Sequence, residues 1–454
     1  VPGYVPIVLD GNDPGTCRDG YVKRLLRDLD DPHKVVFEKF SKFVFLKVRE
    51  LFPDKMEFLT FDEWIDSENY TLDHKEEFRV CYRELHGGRP TLSNWTRVLS
   101  FVKSESYPTF KHARLINSRH DMFKVWSGPL FKSMEHMVYR NAHFIKNVPV
   151  NERFAKILEL KKDGKMYFET DFTAFESHFT TLLLANCECQ LYSWLLRERP
   201  EDAKFLVDVL VGKNRMSLRN GVRCTVFGRR MSGDMCTSLG NGFTNLMLAM
   251  FIAEELHDSE FDGYVEGDDG LFALDFVLDP EEYRRLGFKI GVSRVSTPSE
   301  AHFCGMIFAD SGQIIKDPRK FMQTFAWTFN FLFAGPKVKW ELLKAKAMSA
   351  ICEVPQCPIV GALARHALKM CGDIQPRFVL DWYHKPIDPA HFVNPAFEPS
   401  PDTRDLFARK YGISPSLQLE IEAAIASGDM DKVSDLMPPT EESAWFEARF
   451  VETI

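Results

Sequence analysis

Three aspartates stand where the pattern of the chain puts carboxylates at strand ends. Asp171 closes an alternating run over 165–171, with Met166, Phe168 and Thr170 on one face and Tyr167 and Glu169 on the other. Asp268 and Asp269 lie in Gly267-Asp268-Asp269-Gly270, between apolar runs at 261–266 and 271–274. Period-two alternation predicts a strand, and Asp-Gly between two apolar runs predicts a hairpin. Two strand ends that each present a carboxylate can meet at one edge of a sheet. Hard oxygen ligands of that kind suit Mg²⁺ or Mn²⁺. Two such ions about 3.5–4 Å apart stabilise the attacking and leaving oxygens of an in-line phosphoryl displacement. Taken singly, each feature has a plainer reading: a polar turn for the Gly-Asp-Asp-Gly string, and a helix-capping aspartate for Asp171.

The surrounding pattern supplies elements to hold these carboxylates. Residues 20–60 carry Leu25, Leu26, Leu29, Phe37, Phe40, Phe43 and Leu46 near helical spacing. One amphipathic helix is predicted over 182–197, stopped by Pro200. A Gly- and Ser-rich stretch, 231–242, reads as a loop feeding a helix through Leu246, Ala249, Met250 and Ala253. After the hairpin, 280–286 reads as a helix and 287–290 as a strand. Beyond about residue 320 the chain turns helical, with Pro-rich breaks at 354–358 and 395–402.

The chain has 454 residues, enough for two or three subdomains. Its net charge of -8 argues against a plain RNA coat or packaging protein, while leaving room for a locally basic channel. The 10 Cys show no framework and read as reduced thiols. Cys352 and Cys357, like Cys187 and Cys189, lack the second pair that a zinc site needs. No run of 18 uncharged apolar residues occurs, so no transmembrane span is expected. The opening Val1-Pro2-Gly3 fits either a processed product or a piece of a longer protein.

Company and order make the acidic pair specific. Ser232-Gly233-Asp234-Met235-Cys236-Thr237-Ser238-Leu239-Gly240-Asn241 fits S-G-x3-T-x3-N. It resembles motif B of the RNA-dependent RNA polymerases of positive-strand RNA viruses, in the wording of the tombusvirus/nodavirus-like branch. Asp171-Phe172-Thr173-Ala174-Phe175-Glu176 resembles motif A, and Gly267-Asp268-Asp269 resembles motif C. Lys103-x-Glu105, Lys111, Arg114-x-Ile116 and Arg119 resemble the basic motif F. Leu286-Gly287-Phe288-Lys289 resembles motif D, and Phe303-Cys304-Gly305 motif E. The order F, A, B, C, D, E is the unpermuted one, and the resemblance covers about 100–320.

The resemblance implies an α+β right hand with an antiparallel palm sheet backed by helices. Fingers are expected at 1–165 and 182–228, palm at 166–181 and 229–318, and a helical thumb and tail at 319–454. It implies that Asp171 and Asp268 hold two Mg²⁺ or Mn²⁺ ions with Asp269 in support. Ser232, Thr237 and Asn241 would read the ribose 2′-hydroxyl. Glu176 stands where the family usually has Asp, and is expected to hydrogen-bond near the ribose with Asn241. Gly233 would give the motif B loop its mobility. Lys103, Lys111, Arg114 and Arg119 would line the triphosphate and RNA channel, and Lys289 would protonate the departing pyrophosphate. Trp327 and Trp382 read either as stacking platforms for a base or as packing. Implied partners are template and nascent RNA, ribonucleoside triphosphates and other viral replication proteins. The implied place is host cytoplasm, in membrane-associated complexes tethered through a partner or a region outside this sequence. A reverse transcriptase would carry Tyr-x-Asp-Asp and a bulky block against the 2′-hydroxyl. A phosphohydrolase would have no use for the ribose-reading set. The intact Asp171, Asp268, Asp269 and Asn241 speak against a decayed replication subunit.

Overall fold

The computed structural model describes residues 1–454 apart from 5, 28, 108–109, 329–330, 332, 378–397 and 438–454; Trp382 thus lies outside the described residues. The chain forms two units. The larger takes Asp10–Lys103 and His112–Cys304, and the smaller takes Val1–Leu9, Ser104–Lys111 and the described residues from Gly305 onward.

The larger unit carries the strands that bear on function: β1 (Arg97–Val102), β2 (Leu115–Arg119), β3 (Met166–Phe172), β4 (Lys213–Ser217), β5 (Arg223–Phe227), β6 (Gly263–Glu266), β7 (Asp269–Leu274) and β8 (Ile290–Val295). One sheet has the order β2-β1-β4-β5, with β1 and β4 parallel and its other pairs antiparallel. The other has the order β8-β3-β7-β6 and is antiparallel throughout. The expected mixture of helices with an antiparallel sheet is present, and the expected strand at 165–171 and hairpin at 261–274 fall within a residue or two of β3, β6 and β7.

Helices α1 (Lys34–Leu51), α2 (Thr181–Asn186), α3 (Glu188–Leu195) and α4 (Thr237–Phe251) build the core around the antiparallel sheet. From Gly242 to Phe251 every residue of α4 is buried, as befits a helix apolar on all sides. Its end packs on α1, with the Phe40 and Phe251 rings edge to face at 5.5 Å between centroids. Each such buried aromatic contributes roughly 1.5–3 kcal/mol of transfer free energy.

Two expectations are corrected. The helix predicted over 182–197 is two helices, because Cys187 leaves helical geometry at φ −123°, ψ −92°. The break starts α3 at Glu188 and sets that residue in its first, buried turn. The strand predicted at 287–290 begins only at Ile290. Gly287, at φ 88°, closes the preceding helix Pro280–Arg285, donating its N–H to Arg284 while Phe288 donates to Tyr283.

The smaller unit is mainly helical, around Ile307, Met322, Leu363, Phe407, Ile421 and Ile425. Pro318, Pro336, Pro401 and Pro415 each open a helix, where the missing N–H costs nothing. Trp327 donates its Nε1–H to the Tyr4 carbonyl at 3.4 Å. Among the described residues no helix is long and apolar enough to cross a membrane.

Candidate active site

Register brings the three aspartates together. Thr170 pairs with Gly270 across β3 and β7, and Asp171 is the next residue along β3, paired on its other side with Gly291 of β8. Glu266 pairs with Asp269, which leaves Gly267 and Asp268 as a two-residue turn. Asp171 is exposed between buried Thr170 and Phe172, so it points away from the core. A Cβ on Gly270 would overlap the Thr170 hydroxyl, so the close approach of β3 and β7 demands glycine there. Asn245, fully buried on α4, donates its side-chain amide to the Gly267 carbonyl at 3.3 Å and the Asp269 carbonyl at 3.1 Å. Those bonds tie the turn to the helix bearing Thr237 and Asn241.

The carboxylates perturb one another. Burial first, then Asp268, Asp171 and Glu266, push the Asp269 carboxyl up to about 7. Asp268 is also raised, by burial and by Asp171 and Glu176, while Arg114 opposes the shift. The cluster therefore lacks positive charge, a deficit that a divalent cation relieves. Among the described residues no three His, Cys, Asp or Glu side chains are gathered as a ready cage. Mg²⁺ fits such a site nonetheless, since it binds through one or two carboxylates completed by substrate phosphates.

The chain turns sharply beyond Asp171. Ala174 sits at φ 54°, a left-handed position that costs a non-glycine residue about 1 kcal/mol or more, and a 3₁₀ turn follows at Phe175–His178. Glu176 there does not bond to Asn241 as expected. It accepts from Arg24 Nε at 2.9 Å, and both side chains are largely covered. Buried His178 accepts the Lys289 backbone N–H on Nε2 at 2.9 Å and faces the Phe175 carbonyl through Nδ1 at 3.3 Å. A carbonyl only accepts, so Nδ1 carries the proton. The Thr173 N–H donates to the Lys289 carbonyl at 3.1 Å, so Lys289 is held at its backbone from both sides while its side chain is exposed.

The Ser/Thr/Asn loop is docked on β2. Gly233 donates its N–H to the Asn117 carbonyl at 3.1 Å, and a Cβ there would come within 2.8 Å of that oxygen. Gly233 thus serves close approach to β2 in this structure. Arg119 is likewise not on a channel wall. Alternation along β2 points it inward at 2% exposure, where its Nε bonds Asp234 at 2.9 Å and Nη1 donates to the Trp95 carbonyl. The Thr237 hydroxyl donates to the Asp234 and Met231 carbonyls at 2.8 and 3.1 Å, leaving its lone pairs for a ligand. Asn241 accepts from Arg230 Nε at 2.9 Å. Ser232 and Asn241 are partly exposed.

Lys103 donates its backbone N–H to the Arg114 carbonyl, extending the β1–β2 hairpin, and Arg114 is exposed. Lys111 belongs to the smaller unit. The open face of the β2-β1-β4-β5 sheet carries a pattern missed in the sequence: Arg97, Leu99 and Phe101 on β1, Lys213, Arg215 and Ser217 on β4, and Arg223, Thr225 and Phe227 on β5. Four cations and no carboxylate share this face. Phe101 is 50% exposed and Phe227 65% exposed. Ile116, on the same face of β2, lies beside the Gly233 loop. Arg24, His178, Glu188, Arg230 and Asn245 were also missed; only Arg230, two residues before Ser232, carries any local signal.

A sequence model of the viral RNA-dependent RNA polymerases matches residues 97–432. The chain is also similar to the RNA-directed RNA polymerase of Groundnut rosette virus (strain MC1), at 24% identity over 390 residues, covering 77% of this chain and 45% of that relative. The chain thus spans about half the length of the curated relative it matches. With a family match over most of its length, and with the motif aspartates brought to one sheet edge, the chain belongs to the viral RNA-dependent RNA polymerase family.

Proposed function

We propose that this chain is an RNA-dependent RNA polymerase that replicates and transcribes a viral genome by template-directed nucleotidyl transfer. One observation carries the reading: the β3–β7 register, in which Asp171 follows the Thr170–Gly270 pair at the turn bearing Asp268 and Asp269. Asp171 and Asp268 would hold Mg²⁺ or Mn²⁺, with Asp269 in support; bound there, the ions supply Lewis-acid stabilisation of charge on the reacting oxygens. The 3′-hydroxyl of the growing RNA gives up its proton to solvent and its oxygen attacks the α-phosphate of a nucleoside triphosphate, forming the phosphodiester as the α–β phosphoanhydride bond breaks and pyrophosphate leaves. The Lys289 ammonium gives a proton to the departing pyrophosphate. Arg114 and Lys103 hold the triphosphate. Ser232, Thr237, Asn241 and Glu176 read the ribose, where a missing hydroxyl leaves their polar groups unpaired.

The open face of the β2-β1-β4-β5 sheet suits the RNA strand. Its cations match phosphates, and exposed Phe101 and Phe227 offer stacking surfaces tolerant of any base. In this reading the fingers comprise 1–165 and 182–228, the palm 166–181 and 229–318, and the thumb and tail 319–454. Work at host membranes would involve tethering through a partner or through a region outside this sequence. Incorporation directed by homopolymer templates tests the proposal. Poly(C) should take up GTP alone and poly(U) ATP alone; uptake independent of template would count against it.

A further inference from the structure

A fully buried ion pair lies beneath the ribose-reading helix. Arg230 Nη2 meets Glu188 Oε2 at 2.5 Å, with the two side chains 2% and 0% exposed. The Tyr192 hydroxyl donates to the same carboxylate oxygen at 3.1 Å, and the guanidinium lies 4.2 Å from the centre of the Phe179 ring. Arg230 also donates from Nη1 to Cys236 Sγ at 3.4 Å and from Nε to Asn241 Oδ1 at 2.9 Å.

Such a pair is a poor device for stability, since desolvating two charges offsets most of their attraction. Local strain accompanies this one. Arg229 is held at φ 94°, beside Gly228 at φ 58°. Gly240 is glycine because a Cβ would overlap Glu188 Oε2. What the arrangement achieves is orientation. Arginine only donates, so the Asn241 atom facing Nε must be its oxygen. The Asn241 NH₂ is thereby turned away from Arg230, with its donors ready for an acceptor. Among the described residues Arg230 is the side-chain partner of Asn241, because Glu176 is engaged by Arg24.

Resting on the polymerase reading above, we propose that Arg230, anchored by Glu188, is a positioning residue that fixes the Asn241 amide to donate to the 2′-hydroxyl oxygen of the incoming nucleotide. The test uses the full chain and compares Arg230→Lys, Asn241→Ala and their combination. Lysine keeps a cation opposite Glu188 and removes the Nε donor. Titration calorimetry with Mn²⁺ measures binding of GTP and dGTP, which differ only in the 2′-hydroxyl. The GTP/dGTP affinity ratio should fall about tenfold in Arg230→Lys, through weaker GTP binding with dGTP binding held. Asn241→Ala should show the same loss, and the combined variant no further loss. If Arg230→Lys does not fold, the charge-free pair Arg230→Met/Glu188→Met should show the same drop. An unchanged ratio, additive losses, equal weakening of both nucleotides, or a wild type that binds both alike would each overturn the proposal. Failure of the polymerase reading shows separately, as absence of incorporation by wild type, because binding needs no turnover.

Discussion

Arg24 and Glu176, 152 positions apart, form a single hydrogen-bonded ion pair at 2.9 Å, with each side chain 20% exposed. The pair joins the N-terminal segment to the turn that follows Asp171. It also holds one carboxylate of a crowded acidic cluster with a compensating charge, and it uses the length that distinguishes glutamate from aspartate. Glu176→Asp, one methylene shorter, draws the carboxylate back from Arg24 and lengthens or breaks this contact unless the arginine or the backbone shifts. The ratio of ribonucleotide to deoxyribonucleotide incorporation should change at least about threefold, a difference near the scale of one hydrogen bond. An unchanged ratio would remove Glu176 from the sugar-reading set. A thermal double-mutant cycle with Arg24→Met should give a coupling of about 1 kcal/mol.

His178 makes the fold acid-sensitive. Burial, the main cause, lowers its imidazole from 6.5 to about 4. The folded state therefore binds the proton less readily than the unfolded chain does. The stability from neutral His178 is present above pH 6.5 and is lost as pH falls towards 4. Protonation of Nε2 would also remove the acceptor for the Lys289 N–H. Between pH 7 and 4.5, wild type should lose on the order of 2 kcal/mol more than His178→Gln in urea denaturation. Parallel losses would exclude His178 as the source.

Gly233 is fixed by contact. A methyl group there would sit 2.8 Å from the Asn117 oxygen and 3.1 Å from Ile116 Cγ2. Both are parts of a strand that cannot give way cheaply. Gly233→Ala should cost about 1–3 kcal/mol, read as a lower Tm, and should slow nucleotide incorporation by displacing Ser232. Wild-type stability and rate would mean that the loop is not held on β2 in solution.

The open face of the β2-β1-β4-β5 sheet should govern RNA affinity and its salt dependence. Arg97, Arg215 and Arg223 are exposed and, among the described residues, make no ion pair. Replacing all three with Gln should reduce the slope of log affinity against log salt by about 2, given roughly 0.7 per phosphate contact on a single strand. Phe101→Ala with Phe227→Ala should weaken binding at every salt concentration and leave the slope unchanged. Fluorescence anisotropy of a labelled oligonucleotide separates the two effects. An unaltered slope in the arginine variant would move the RNA path elsewhere.

The elements bearing the aspartates were legible because their signals are local. Alternation over 165–171 and the Gly-Asp-Asp-Gly turn each specify a strand end within a few residues, and the β3–β7 register follows from which face must be buried. The single helix expected at 182–197 failed because apolar spacing runs through Cys187 without a break signal. Arg119 was misread because an arginine in a basic stretch looks solvated until β2 alternation turns it inward to Asp234. The partners of the site residues were illegible for a different reason. Arg230 reaches Glu188 across 42 positions, and His178 reaches the Lys289 N–H across 111. Such pairings are set by packing of the core and leave no periodic mark in the sequence.

Extension of a labelled RNA primer on an RNA template, with all four ribonucleotides and Mg²⁺ or Mn²⁺, tests the central claim most directly when wild type is compared with Asp268→Ala. Metal-dependent extension by wild type is predicted, with a loss of at least about a thousandfold in the variant at unchanged RNA affinity. A folded, RNA-binding wild type that extends nothing with or without primer, or an Asp268→Ala variant that extends as wild type does, would contradict the account.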